Sequence, residues 1–208
     1  GAFAENADEA RRPDMASLVM ANARRAQESL RVLEELGKLP GWGHAPDSDT
    51  CKRARFALYE VEQTLVSRVL RQEKRGKVRG LYVILDPQQT KGRAEAEVAR
   101  AALRGGAGVI QLRDKTRDKG QLLPLALELG KLCAEAGALF IVNDDIDLAL
   151  AAGADGVHLG QKDLPLGVAR RVLPLGAVVG RSTATLEEAL RAQEEGADYI
   201  AVGSIYPT

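Results

Sequence analysis

The sequence predicts an α/β fold: a parallel sheet covered by helices, with a helical hairpin ahead of it. Two features predict it. The first is a set of six largely apolar runs, Leu81–Leu85, Val109–Leu112, Leu139–Val142, Gly156–Leu159, Ala177–Val179 and Tyr199–Val202. Parallel strands are buried on both faces and read as continuous runs of this kind. The second is a recurring junction. Gly105-Gly106-Ala107-Gly108, Ala136-Gly137-Ala138, Ala152-Gly153-Ala154-Asp155 and Glu195-Gly196-Ala197-Asp198 each close a helical stretch and lead into a strand. Glycine just past a helix supplies a left-handed turn for the last carbonyls, and the small alanine lets the chain bend into the sheet. Repetition of this unit without hairpin signals means successive βα repeats.

Residues 1–76 read differently. Val19, Ala23, Ala26, Leu30 and Leu33 recur at helical spacing, as do Ala54, Leu58, Val61, Leu65 and Val69. Between them, Gly37–Thr50 carries Pro40, Gly41, Gly43 and Pro46, which is loop composition. An antiparallel hairpin follows, its stripes facing each other or the second domain. Arg24–Glu28, Arg31–Glu35 and Arg55–Tyr59 sit four apart, and the charged pairs are expected on a solvated face. Gly76 marks the junction to a second domain at 77–208. There, Thr185-x-x-Glu188 is a capping box that starts the helix ending before Gly196.

Each apolar run is followed by polar residues: Asp86; Arg113 and Lys115; Asn143 and Asp144; Gln161 and Asp163; Ser182 and Thr183; Ser204. An open doubly wound sheet concentrates such groups at one switch point, whereas a closed barrel presents them after every strand. The prediction is therefore a (β/α)8 TIM barrel of which about six βα units are present. Residues 78–208 amount to about half of the ~250 in a complete barrel. A six-strand piece alone has open edges that can pair with other chains, which leaves room for a homo-oligomer.

Composition excludes several partners. Lys+Arg and Asp+Glu both number 29, so there is no basic field to hold nucleic acid or an anionic membrane. No apolar run of about 18 residues spans a membrane, and the start lacks a secretory signal. Cys51 and Cys133 fit no metal or redox spacing and are expected to be reduced, buried thiols of a cytoplasmic protein.

Asp144 and Asp163 end two different strands, so a barrel brings their carboxylates to one rim. Two carboxylates completed by phosphate oxygens and water suit Mg²⁺. Either residue could instead cap the helix that follows, Ile146–Ala152 or Pro165–Leu173. In Gln111-Leu112-Arg113-Asp114-Lys115, strand alternation points Gln111, Arg113 and Lys115 to one side. Arginine offers a fork and lysine a point charge for phosphate. The plainer reading is a solvated strand end, ion-paired to Asp114 or Asp118.

These residues stand in text that closely resembles the thiamine-phosphate synthase family. The matching segments are Gln111–Lys115, Val142-Asn143-Asp144-Asp145, Gly156-Val157-His158-Leu159-Gly160-Gln161-x-Asp163-Leu164-Pro165, Gly180-x-Ser182, and Gly196–Tyr199 through Gly203-x-Ile205-Tyr206-Pro207-Thr208. The likeness covers 80–208 in order. Residues 1–76, including Asn22-Ala23-x-Arg25 and Leu30–Glu34, resemble a helical extension fused ahead of some members. The resemblance implies a Mg²⁺-dependent transferase of thiamine biosynthesis. It condenses hydroxymethylpyrimidine pyrophosphate with thiazole phosphate to give thiamine phosphate and pyrophosphate, by a dissociative substitution. It further implies Asp144 and Asp163 as metal ligands and Arg113, Lys115, Asn143 and Ser182 on the pyrophosphate. Of these, Arg113, Lys115 and Ser182 are the catalytic set. Gln111 would orient the pyrimidine, Thr208 would lie beside the thiazole, and His158 would either line the pocket or simply pack.

The sequence as given stops before a pyrophosphate-binding lysine of the family and before the last two strands, so poor turnover is expected of this piece by itself. Two other readings remain open. A thiazole tautomerase-like isomerase would lack the second carboxylate. A non-catalytic ligand-binding or regulatory barrel would use the hairpin as its interaction module.

Overall fold

The computed structural model describes residues 12–40, 47–203 and 205. The chain falls into two compact units, residues 1–70 and 71–208. The first unit holds α1 (Met15–Leu36) and most of α2 (Ser48–Lys77), which runs unbroken through Gly76. Asp14 starts α1 by accepting a hydrogen bond from Ser17 N at 2.7 Å. Gln27 Nε2 donates to Glu62 Oε2 at 2.6 Å, and Arg55 donates to Glu34 Oε2 from Nε at 3.1 Å and Nη2 at 3.0 Å. Partners ascend along one helix and descend along the other, so the pair is antiparallel.

The buried stripe of this hairpin differs from the expected one. Ala16, Ala23, Gln27 and Glu34 are buried on α1, whereas Ala26 and Leu33 are exposed. On α2, Cys51 and Val66 are buried while Ala54, Val61 and Leu65 are exposed. Polar partners join the helices, and a stripe drawn through apolar residues alone misses them. Arg31–Glu35 does form an exposed pair at 3.0 Å. Arg55 holds Glu34 across the hairpin, with side chains 13% and 5% exposed.

The second unit alternates strand and helix: β1 (Leu81–Leu85), α3 (Glu95–Arg104), β2 (Ala107–Leu112), α4 (Lys119–Ala136), β3 (Leu139–Asn143), α5 (Ile146–Ala152), β4 (Gly156–Leu159), α6 (Leu166–Val172), β5 (Val178–Thr183), α7 (Leu186–Glu194) and β6 (Tyr199–Val202). All neighbours are parallel, in the order β1-β2-β3-β4-β5-β6. The glycine junctions behave as expected, with positive φ at Gly106, Gly137, Gly153 and Gly196. Thr185 caps α7 by accepting from Glu188 N at 3.2 Å, and Glu188 reaches back to Ala184 N at 2.7 Å, one residue beyond the usual box.

The sheet is curled. Strands lie about 4.8 Å apart, so five steps would separate β1 from β6 by roughly 24 Å in a flat sheet. Yet the hydroxyls of Tyr82 on β1 and Tyr199 on β6 meet at 2.9 Å. The observed fold is a parallel six-strand half-barrel, as the strand-end chemistry predicted. Its convex face carries the larger core, with Leu85, Ile110, Leu112, Phe140, Val142, Val157, Leu159 and Val179 packed under the helices. Its concave face begins with a smaller cluster of Val109, Leu139, Ile141 and Val178.

At the amino ends of the strands, two of the glycine junctions share a device. Asp155 N donates to Phe140 O at 2.8 Å while its Oδ2 accepts from Phe140 N at 3.0 Å. Asp198 makes the same pair of bonds with Val179, both at 2.8 Å. Lys74 joins Asp155, and Arg71 and Arg170 join Asp198, whose side chain is 1% exposed.

Candidate active site

The pairing register decides which side chains meet on the concave face. Asn143, His158, Gly180 and Tyr199 form one row across β3, β4, β5 and β6. A Cβ on Gly180 would lie 2.1 Å from Tyr199 Cζ and 2.5 Å from its hydroxyl. Glycine at this point therefore leaves the space in which the Tyr199 ring lies. The ring reaches over β5 to His158, with centroids 5.5 Å apart.

The row lines a cavity of about 500 Å³ with Tyr82, Ile84, Gln111, Arg113, Ser182, Ile200 and Ala201 among its walls. Its polar groups form one continuous chain. Ser182 Oγ lies 2.9 Å from His158 Nε2, and His158 Nδ1 lies 3.2 Å from Tyr199 Oη. Tyr199 Oη meets Tyr82 Oη, which lies 2.7 Å from Gln111 Oε1, and Gln111 Nε2 lies 2.8 Å from Asn143 Oδ1. Burial, aided by nearby Arg181, lowers the His158 pKa to about 4, so the ring is neutral at pH 7. Burial pushes Tyr82 up to about 12 and raises Tyr199 as well. The chain is uncharged throughout.

Ser182 differs from expectation in its setting. It lies within β5, which runs to Thr183, rather than in a loop after a strand ending at Val179. Arg181-Ser182-Thr183 does not read as strand because its side chains are polar, but each finds a partner: Leu164 O, His158 and Ala201 O respectively.

The carboxylates gather at the strand ends. Asp144 follows β3 in a left-handed conformation, φ 62°, that non-glycine residues seldom adopt. Its backbone N donates to His158 O at 2.9 Å. Asp163 is held by Gly160 N, which donates to its Oδ2 at 2.6 Å. The two carboxyl groups lie within hydrogen-bonding reach of each other. Burial first, then Asp163, raises the Asp144 pKa, opposed by Lys115, whose Nζ is 3.5 Å from Asp144 Oδ2. Neither residue is a helix cap: Asp145 and Pro165 occupy those positions.

Two oxygen donors with like-charge strain and one lysine in attendance fit a hard divalent cation whose other ligands come from elsewhere. Among the described residues no group of three or more acidic, histidine or cysteine side chains could hold a metal. Arg113 reaches the cavity and pairs with Asp86 at the end of β1. Asp114 does not neutralise it; that carboxylate accepts from Thr116 and Arg117 instead. Gln111, Arg113, Asn143 and Ser182 thus share one cavity, with Lys115, Asp144 and Asp163 clustered at the strand ends. Thr208 lies outside the described residues. Sequence reading missed Tyr82 and Tyr199, which hide in apolar runs. Their signal was a hydroxyl-bearing ring at an inward strand position.

Comparisons with known proteins identify the family. The family model for thiamine monophosphate synthase matches residues 81–208, and that of the ThiD2 family matches residues 1–64. A thiamine-phosphate synthase of Thermosynechococcus vestitus is 44% identical over 199 residues, covering 95% of this chain and 54% of that protein. One from Methanocella arvoryzae is 52% identical over 128 residues, 62% of this chain and 60% of its own. The solved thiamine phosphate pyrophosphorylase from Pyrococcus furiosus superposes with a TM-score of 0.59 at 42% identity, covering 64% of each chain. The chain spans about half the length of the cyanobacterial relatives it matches. No helix among the described residues is long and apolar enough to cross a membrane.

Proposed function

The chain belongs to the thiamine monophosphate synthase family, and from that premise we propose that the protein is the transferase itself. It joins hydroxymethylpyrimidine pyrophosphate to thiazole phosphate, releasing pyrophosphate and forming thiamine phosphate. The observation that carries this reading is the meeting of Asp144 and Asp163 beside a cavity lined with amide, hydroxyl and guanidinium groups. The second carboxylate also argues against an isomerase of the same fold. Two buried thiols, Cys51 and Cys133, suit a cytoplasmic location.

Asp144 and Asp163 are the residues that would hold Mg²⁺. Bound there, the ion supplies positive charge to the departing diphosphate. Arg113 and Lys115 bring two further cations to the same oxygens, and Asn143 and Ser182 add hydrogen bonds. Gln111 orients the pyrimidine with its carboxamide, while Tyr82, Ile84, Tyr199 and Ile200 wall the cavity and keep water from the cationic methylene carbon. Thr208 is assigned to the thiazole end.

Titration of the complete protein with inorganic pyrophosphate, with and without Mg²⁺, tests this. Affinity should depend on Mg²⁺ and lose that dependence in Asp144→Ala or Asp163→Ala. Equal Mg²⁺ dependence in both variants would remove the two residues from the site.

A further inference from the structure

Six side chains on the concave face form an unbranched chain: Ser182, His158, Tyr199, Tyr82, Gln111 and Asn143. We propose that this chain is a two-state hydrogen-bond wire which couples an anion at Ser182 to the amide edge at Gln111. The proposal rests on the transferase reading above, and Tyr82 and Tyr199 act in it as positioning residues.

The protons fix the logic. A tyrosine hydroxyl has one hydrogen, and a neutral imidazole has one N–H. Five bonds link the six residues, so choosing the donor in any one of them sets all the others. In one polarity Ser182 donates to His158 Nε2, and His158 Nδ1–H donates to Tyr199. Tyr199 then donates to Tyr82, Tyr82 to Gln111 Oε1, and Gln111 Nε2–H to Asn143 Oδ1. In the other polarity each bond is reversed: His158 Nε2–H donates to Ser182, and the carboxamides of Gln111 and Asn143 turn over. Both states make five hydrogen bonds over the same heavy-atom distances. With neither favoured by bond count, a modest external preference selects one.

The two states present different faces to the cavity. In the first, the Ser182 hydrogen is committed to His158, and the hydroxyl offers a ligand only lone pairs. An oxyanion finds no donor there. In the second, Ser182 receives a hydrogen from His158 and is free to donate its own to an anionic oxygen. Pyrophosphate therefore selects the second state. That state exchanges the positions of the oxygen and nitrogen of Gln111, and so inverts the donor–acceptor order that an aminopyrimidine edge would meet. Leaving-group occupancy and base recognition become one equilibrium, with Tyr199 and Tyr82 as the middle links.

The ring nitrogens of His158 report the state directly. The chain has only two histidines, His44 and His158, so ¹⁵N spectra of histidine-labelled complete protein are readily assigned through a His44→Gln control. Adding inorganic pyrophosphate with Mg²⁺ should move the His158 proton from Nδ1 to Nε2. Calorimetry should show that saturating Mg²⁺-pyrophosphate changes the Kd of the free hydroxymethylaminopyrimidine by about fivefold or more, in the usual range of coupling. Tyr82→Phe and Tyr199→Phe each remove one link and no end group, and either should bring the factor close to one while both ligands still bind. Pyrophosphate that binds without moving the proton overturns the wire and leaves the transferase reading standing. Coupling equal to wild type in both phenylalanine variants does the same. Absence of Mg²⁺-dependent pyrophosphate binding overturns both.

Discussion

Replacing Gly180 by alanine should disable the concave face through a single steric contact. The added Cβ would stand 2.1 Å from Tyr199 Cζ, whereas ordinary contacts of such atoms begin at 3.4 Å. The ring must therefore withdraw by about 1.3 Å, or β5 must move within a sheet paired on both sides. Withdrawal lengthens the bonds from Tyr199 Oη to Tyr82 Oη and His158 Nδ1, now 2.9 and 3.2 Å. Overpacking of this kind costs about 1–3 kcal/mol. Each broken buried hydrogen bond adds about 0.5–1.5 kcal/mol. The sum, about 2–6 kcal/mol, would appear as a lower urea midpoint at unchanged slope. A double-mutant cycle isolates the contact. In a Tyr199→Val background the clash is gone, and Gly180→Ala should cost less than about 1 kcal/mol. Equal cost in both backgrounds would refute the reasoning. Gly156→Ala provides the contrast, because its Cβ would meet the Val178 carbonyl oxygen at 2.0 Å and no side-chain truncation can relieve a backbone.

Other consequences are briefer. His158 is neutral when folded, with its pKa lowered to about 4, but takes a proton near 6.5 when unfolded. The unfolded state then binds more protons between those values, so its contribution to stability is full above pH 6.5 and lost as pH falls towards 4. Urea unfolding at pH 7.5 and 5 should differ by about 2 kcal/mol on this account, and His158→Gln should shrink the difference. Asp198→Ala removes the buried carboxylate that Arg71 and Arg170 share and that Val179 N donates to, and should cost about 3–5 kcal/mol in the same assay. Cys133 is fully buried with its thiol pushed up to about 12, so mass spectrometry should find it unlabelled by iodoacetamide until the protein is denatured.

Much of this architecture was legible because the strands are apolar along their length, the inner ones being buried on both faces. The runs at Leu81–Leu85, Gly156–Leu159 and Tyr199–Val202 coincide with strands, and the four glycines with left-handed helix exits. Legibility failed wherever polar side chains carry the packing. The hairpin is joined through Gln27–Glu62 and Glu34–Arg55, so its apolar residues locate only part of the stripe: Ala23 is buried, but Ala26, Leu33, Ala54, Val61 and Leu65 are exposed. The end of β5 was lost because Arg181, Ser182 and Thr183 are satisfied by neighbours distant in sequence. Gln111 and Arg113 could be placed on one face from alternation alone. Tyr82 and Tyr199 could not, because their role depends on β1 and β6 curling towards each other, and no local pattern encodes curvature.

The two ends of the sheet use the same residue type for opposite purposes, and the charges that face each carboxylate tell them apart. At the amino ends, Asp155 and Asp198 each accept from a strand amide and face cations. Replacing either would only remove stability. At the carboxyl ends, Asp144 stands beside Asp163, and burial first, then that second carboxylate, raises the Asp144 pKa even with Lys115 in attendance. A left-handed backbone at Asp144 adds a conformational cost of order 1 kcal/mol or more. Capping of α5 does not require that cost, since Asp145 rather than Asp144 occupies the cap. Crowding of two carboxylates is expected where a ligand offsets it, and a divalent cation held by Asp144 and Asp163 would do so. Asp144→Asn should therefore stabilise the protein without Mg²⁺ while weakening pyrophosphate binding with it. Loss of stability in that variant without the metal would mean that Asp144 serves the fold rather than the site.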